Sequence, residues 1–64
     1  MIKYVILDDR MNVVIDSECT METIEKVKND YKMKKVYECK NEVNDTQMYI
    51  YKNINTRYLL IYEI

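Results

Sequence analysis

The sequence predicts an α+β fold, in which one helix packs on a five-stranded, mainly antiparallel sheet within a single domain of 64 residues. Two observations carry this prediction. Clusters of Asn and Asp separate short runs rich in β-branched and aromatic residues, and a single segment has apolar residues at helical spacing. Because the chain contains neither Gly nor Pro, we expect Asn and Asp to form its turns, since both tolerate left-handed backbone and make local hydrogen bonds.

Five strands follow from these turns. The clusters at 8–12, 41–45 and 53–56 each lie between two apolar runs, which predicts short hairpin loops. The strands are therefore expected at about 2–7, 13–16, 35–40, 47–52 and 57–64.

The helix is predicted between the second and third strands. Thr20 is favoured as its N-cap, with Ser17 as the competing choice, because a hydroxyl there accepts from a free backbone amide of the first turn. The helical stripe consists of Met21, Ile24, Val27 or Lys28, and Tyr31.

The helical connection should form a right-handed crossover that leaves the second and third strands parallel. These two strands are either direct neighbours or flank the first strand. The second arrangement, with strand order 2-1-3-4-5, makes every neighbouring pair antiparallel. It also places the segment 4–7, which is apolar on both faces, inside the sheet, and we prefer it.

The seven tyrosines are the only aromatic residues. Their hydroxyl groups need hydrogen-bond partners, so we expect the rings to be half exposed rather than enclosed in a core. Strand alternation divides the last three strands into an aliphatic face, expected to pack on the helix, and an uncovered tyrosine face. The first comprises Val36, Met48, Ile50, Leu59 and Ile61, and the second Tyr37, Tyr49, Tyr51, Tyr58 and Tyr62.

The tyrosine face has two interpretations: a ladder that stiffens a solvated sheet, or a contact platform for a protein partner. The strand at 57–64 is expected at an edge of the sheet. An edge invites a homodimer, addition to a partner's sheet, or closure of the sheet on its second strand. The predicted partner-binding residues are Tyr37, Tyr49, Tyr51, Tyr58, Leu60 and Tyr62.

The composition argues against catalysis. There is no His to act as a general base, no Gly for a phosphate-binding loop, and too few Cys for a zinc site. We therefore expect no enzyme activity, no cofactor and no metal. Asp8 and Asp9 are interpreted as a solvated turn rather than as cation ligands with Asp16. Cys19 precedes the helix, which could lower its pKa, but a structural role is favoured.

Charge is distributed unevenly along the chain, whose net charge is −1. Residues 1–25 hold six acids against two bases, and residues 26–40 hold six lysines against two acids. The alternative function is nucleic-acid binding by the segment 26–40 with bases stacked on sheet tyrosines, although such binders generally carry a basic excess. Its candidate residues are Lys28, Lys32, Lys34, Lys35 and Lys40.

The leading prediction is a non-catalytic protein-binding module, an inhibitor or adaptor that occludes a host or cellular protein. The apolar N-terminal stretch is too short for a signal peptide and no window could span a bilayer, so we expect a cytoplasmic location in the producing or infected cell. In size, acidity and lack of catalytic groups the chain resembles the compact α+β proteins with which phages and mobile elements block host defence enzymes, anti-CRISPR proteins among them. This resemblance is one of scale, and no motif carries it.

Overall fold

The computed structural model describes all 64 residues and confirms the α+β class, with one helix and a five-stranded antiparallel sheet. The first predicted strand has the predicted bounds, and the others differ from prediction by one to three residues at their ends. The elements are β1 (Ile2–Leu7), β2 (Val13–Cys19), α1 (Met21–Asp30), β3 (Lys34–Asn41), β4 (Thr46–Lys52) and β5 (Leu59–Glu63).

Asp and Asn side chains make the hydrogen bonds of the three hairpin turns, as predicted. The left-handed backbone positions of these turns were expected at Asn or Asp, but only Asp45 fits this expectation, and the other two fall on Met11 and Arg57. The side-chain oxygens of Asp8, Asn41 and Asn53 each accept two backbone N–H groups from residues two to four positions later. The amides of Asn12 and Arg10 hold the pKa of the Asp8 carboxyl below its ordinary value. These bonds let the chain turn without glycine.

The helix begins and ends with hydrogen-bonded caps. Thr20 is the N-cap, and its hydroxyl accepts from the backbone amide of Thr23 at 3.3 Å. At the other end Lys32 adopts a left-handed φ of 51°, and the amide of Met33 donates to the carbonyl of Lys28 at 2.8 Å. This is the hydrogen-bonding pattern of a Schellman motif, in which a lysine occupies the position that glycine usually takes.

The strand order is β2-β1-β5-β4-β3, so the predicted order 2-1-3-4-5 is wrong. All four neighbouring pairs are antiparallel, and each predicted hairpin is kept. The difference is that β5, rather than β3, pairs with β1. Glu63 is the only charge in β5, whereas β3 carries four charged residues, so the interior position goes to the strand with least charge to desolvate. The charges of β3 instead protect an edge.

The prediction that the strand at 57–64 forms an edge is therefore also wrong. Tyr4 to Leu7 pair with one side of β5, and Met48 to Lys52 pair with the other. Because the backbone groups of β5 are hydrogen-bonded within the sheet on both sides, this segment cannot form the homodimer or the strand addition predicted for it. The edges are β2 and β3, which run parallel to each other, and α1 crosses one face between them.

The core lies between α1 and this face of the sheet. Five of the 64 residues are buried, and a core of this size is typical of a domain with only about 3–5 kcal/mol of stability. Ile24 of the helix and Leu60 of β5 have no solvent exposure. The five buried residues are Ile6, Cys19, Ile24, Leu60 and Tyr62.

Candidate binding surface

The two faces of the sheet have the opposite orientation to the one predicted. Alternation is as expected in β4 and β5, whereas a bulge between Lys35 and Tyr37 breaks it in β3. The face that packs on the helix carries most of the tyrosines, and the aliphatic face is the uncovered one. Tyr62 is buried, and Tyr49 and Tyr51 pack against the same core cluster as Ile24. The predicted tyrosine platform is wrong for these three residues, because the helix covers them.

The tyrosines under the helix form a stacked cluster that encloses a lysine. The ring of Tyr62 lies 5.2 Å from that of Tyr49 and 6.0 Å from that of Tyr51, centroid to centroid. The Lys28 ammonium lies 4.3 Å from the Tyr51 centroid and 5.0 Å from the Tyr62 centroid. It also donates to the Tyr51 hydroxyl at 3.3 Å and pairs with Glu25 at 2.9 Å. This polar group permits burial, because it meets the phenol oxygens that a purely aliphatic helix face would leave unpaired.

The cluster shifts two ionisation equilibria in the same direction. Burial raises the pKa of Tyr62 above its ordinary 10.0, although Lys28 opposes this. Burial by itself would lower the pKa of Lys28, but its interactions with the hydroxyl of Tyr62, with Glu25 and with the hydroxyl of Tyr51 raise it above 10.5. Both groups bind their protons more tightly in the folded state. They therefore stabilise the fold below their unfolded pKa values, and this stabilisation is lost as pH rises through the folded ones.

We expect the free energy of unfolding to fall as pH rises above about 10, the unfolded pKa of tyrosine. Tyr62→Phe should make this fall shallower, because it removes one of the two shifted groups. The measurement is urea unfolding followed by circular dichroism between pH 8 and 11. Tyr37→Phe on the exposed strand β3 is the matched control and should follow the wild-type curve. Parallel curves for Tyr62→Phe and wild type would show that this phenol has no part in the pH dependence.

The other predicted partner-binding residues do not share a surface. Leu60 is fully buried under the helix, so its predicted role at an interface is wrong. Tyr58 is 37% exposed and lines a small apolar cavity of about 80 Å³ beside the end of the helix, together with Tyr31 and Met33. Tyr37 is 54% exposed and pairs with Ile50, which places it on the face away from the helix.

The uncovered side of the sheet, here called the open face, has an apolar centre. The strand registers align Val5, Ile61, Ile50 and Tyr37 in one row across four strands, with Asp16 at its β2 end. The adjacent row brings Leu7 beside Leu59. The prediction that the aliphatic residues pack on the helix is therefore wrong. Of that set, Met48, Ile50, Leu59 and Ile61 lie on the open face, and Val36 is the bulged residue between Lys35 and Tyr37.

Charged residues surround this apolar centre. The row that holds Leu7 and Leu59 begins at Val13 and ends in Lys52 and Lys34. The row on the other side of the centre holds Glu18 beside Lys3, and Glu63 beside Met48. A groove of about 520 Å³ lies along β1 and β5, and five of its eight lining residues belong to the open face: Val5, Ile61, Lys3, Asp16 and Glu63.

The lysines of the alternative function are divided among different surroundings. Lys28 lies in the tyrosine cluster, Lys35 pairs with Glu38 at 2.7 Å, and Lys40 pairs with Asp45 at 3.4 Å. Glu38 raises the pKa of Lys35. Lys34 lies on the open face beside Lys52, and Lys32 follows the helix. The five residues therefore do not form one basic patch of the kind that tracks a phosphate backbone.

The cysteines are free and lie apart in the fold. Cys19 is buried in the core, and this burial raises the pKa of its thiol. The lowering considered from its position before the helix is thus not found. Cys39 pairs with Met48 on the open face. No group of three or more Cys, Asp or Glu side chains is placed to hold a metal ion.

The single helix, with 10 residues, is too short and too polar to cross a membrane. Comparison of the chain with protein-family models, with curated proteins and with solved structures gives no match. The open face is therefore the candidate site on the evidence of geometry alone. The sequence analysis predicted that its aliphatic residues in β4 and β5 pack on the helix, and of its central row it predicted only Tyr37 as a partner-binding residue. The signal for the opposite orientation was Lys28, which lies four residues after Ile24 on the same side of the helix and needs polar groups beneath it.

Proposed function

We propose that this protein is a small, non-catalytic protein-binding module whose binding surface is the open face of the sheet. It acts as an inhibitor or adaptor by occluding a surface of a partner protein, in the cytoplasm of the producing or infected cell. The observation that carries the proposal is the uncovered apolar row of Val5, Ile61, Ile50 and Tyr37.

The composition of the open face supports a protein as the partner. Aliphatic side chains with one tyrosine form its centre, and charged residues lie around them, which matches the apolar core and polar rim of protein interfaces. Small monomers rarely leave a contiguous apolar patch uncovered without a binding role. The hydrogen-bonded strands also hold these side chains in place, so binding orders few groups and incurs a small entropic cost.

The test is loss of binding when the centre of the open face becomes polar. The double variant Ile50→Thr/Ile61→Thr keeps β-branched residues in the strands but removes apolar contact area. Wild-type protein and variant are used to capture proteins from an extract of the encoding organism at low and moderate salt. The captured protein is then identified and purified, and its dissociation constant is measured by calorimetry. We expect the double variant to bind about 100-fold more weakly or worse, because central interface residues contribute most of the binding energy.

Val43→Thr is the matched control, because this residue is 94% exposed in the β3–β4 turn and lies outside the open face. It should bind as wild type does. Binding should also change little with salt, whereas contacts to phosphate would weaken steeply. Equal affinity of the Ile50→Thr/Ile61→Thr variant and wild type for the captured protein would contradict the proposal.

A further inference from the structure

We propose that a second copy of this chain binds the open face, so that the protein forms a two-fold symmetric dimer through it. The inference rests on the proposed function, since it takes the same face as a binding surface. A second copy and the partner protein would compete for this face, so the dimer must dissociate before the partner binds. In this dimer the lysines at one corner of each open face meet the carboxylates at the opposite corner of the other.

The strand registers place opposite charges at diagonally opposite corners. Lys34 and Lys52, here called the lysine corner, lie at the β3 end of one outer row. Asp16 and Glu18, here called the acidic corner, lie on β2, the opposite edge, towards the other end of the strands. Lys3 lies beside Glu18, but Glu63 in the adjoining strand keeps this end of the face acidic. The ion pairs within the chain use neither corner.

This arrangement is self-complementary. A two-fold interface brings the same patch of both copies together, so each charged group must find its opposite on that same patch. An axis in the plane of the face, along the diagonal from Val13 to Cys39, places each lysine corner on the partner's acidic corner. It also places the central apolar row of one copy across that of the other. The strands then cross at a steep angle, as in the orthogonal class of sheet packing.

The size of the face suits a reversible dimer. Five strands spaced about 4.8 Å apart, each about six residues long at about 3.3 Å per residue, give an area of about 480 Å² per copy. The total of about 1,000 Å² is at the lower limit of specific interfaces. The apolar part would enlarge a core that has only five buried residues in the single chain.

The test is a charge swap followed by sedimentation equilibrium from micromolar to about 1 mM protein. Wild type should be a monomer–dimer mixture in this range. Lys34→Glu and Glu18→Lys should each weaken dimerisation by about tenfold. Each substitution places like charges at the contact between the lysine corner and the acidic corner, and the two-fold dimer contains this contact two times. The double variant Lys34→Glu/Glu18→Lys should recover most of the lost affinity. Both residues are exposed on edge strands, and circular dichroism checks that the variants fold.

Lys26→Glu is the matched control, since it makes the same charge change on an exposed helix position, and it should dimerise as wild type does. A wild-type protein that stays monomeric to 1 mM would contradict the proposed dimer. So would single variants that dimerise as tightly as wild type, or a double variant that dimerises no better than the single variants. These outcomes are separate from failure of the proposed function. A monomer whose captured partner is lost on Ile50→Thr/Ile61→Thr would retain the function without the dimer.

Discussion

Tyr62→Ala is expected to lower the free energy of unfolding by about 3–5 kcal/mol, which is as much as a domain of this size typically has. The Tyr62 ring is only 3% exposed, stacks on two other tyrosines and contacts the Lys28 ammonium. Its removal leaves a cavity under the helix and a largely buried lysine side chain with fewer partners. The variant should be largely unfolded by circular dichroism at 25 °C.

Tyr37→Ala provides the matched comparison, since it removes the same side chain from the open face. Tyr37 is 54% exposed on an edge strand, so its loss should cost less than about 1 kcal/mol when measured in dilute, monomeric protein. Tyr62→Phe should lie between them at about 1 kcal/mol, because it keeps the stacked ring and loses only the hydroxyl. An equal loss of unfolding free energy for Tyr62→Ala and Tyr37→Ala would contradict the burial of Tyr62 under the helix.

Ile24→Ala is the second substitution expected to have a large effect. Ile24 has no solvent exposure and is the single fully buried residue of the helix. Truncation of a buried isoleucine costs about 2–5 kcal/mol, so we expect thermal unfolding to shift to much lower temperature or to vanish. The measurement is a thermal melt followed by circular dichroism.

Val43→Ala is the control for Ile24→Ala, because Val43 is 94% exposed in a turn and its truncation removes no buried contact. Its melt should match that of wild type. A melt of Ile24→Ala that stays within a few degrees of wild type would show that the helix is not anchored on the sheet at this position.

The local structure was predictable because it depends on residues close in sequence. Asp8, Asn41 and Asn53 begin turns through their own side chains, and Thr20 caps the helix through its hydroxyl. These contacts span two to four residues, so the sequence pattern carries them directly. The positions of the strands and the helix follow from the same turn and cap residues.

The strand order was not predictable from the same reasoning. Both orders keep the three hairpins, and they differ only in whether β3 or β5 of the C-terminal meander pairs with β1. That choice depends on the cost of placing the lysines of β3 inside the sheet, which is a property of the whole assembly. The predicted order was chosen because it makes every neighbouring pair antiparallel and places β1 inside the sheet, and both orders meet these conditions. Comparing the charge of β3 with that of β5 would have favoured β5.

The prediction of which sheet face packs on the helix was the larger error. Because it was wrong, the candidate site is the aliphatic face and not the tyrosine face. Alternation separated the tyrosines of β4 and β5 from the aliphatic residues correctly, but the bulge in β3 moved Tyr37 to the aliphatic face. Either set is apolar enough to pack on one helix. The expectation that phenol hydroxyls keep tyrosine outside a core overlooked Lys28, which contacts Tyr51 and Tyr62 from within the helix. The aliphatic residues consequently form the uncovered surface that we propose to bind protein.

The orientation of the sheet is tested most directly by nuclear Overhauser effects from the Ile24 methyl groups, in protein labelled at isoleucine methyls and tyrosine rings. We expect cross-peaks from Ile24 to the ring protons of Tyr62, since both belong to the buried cluster, and none to Ile50 or Ile61 of the open face. Cross-peaks from Ile24 to Ile50 or Ile61, with none to Tyr62, would place the aliphatic face under the helix. The open face would then carry the tyrosines, contradicting the binding surface proposed here.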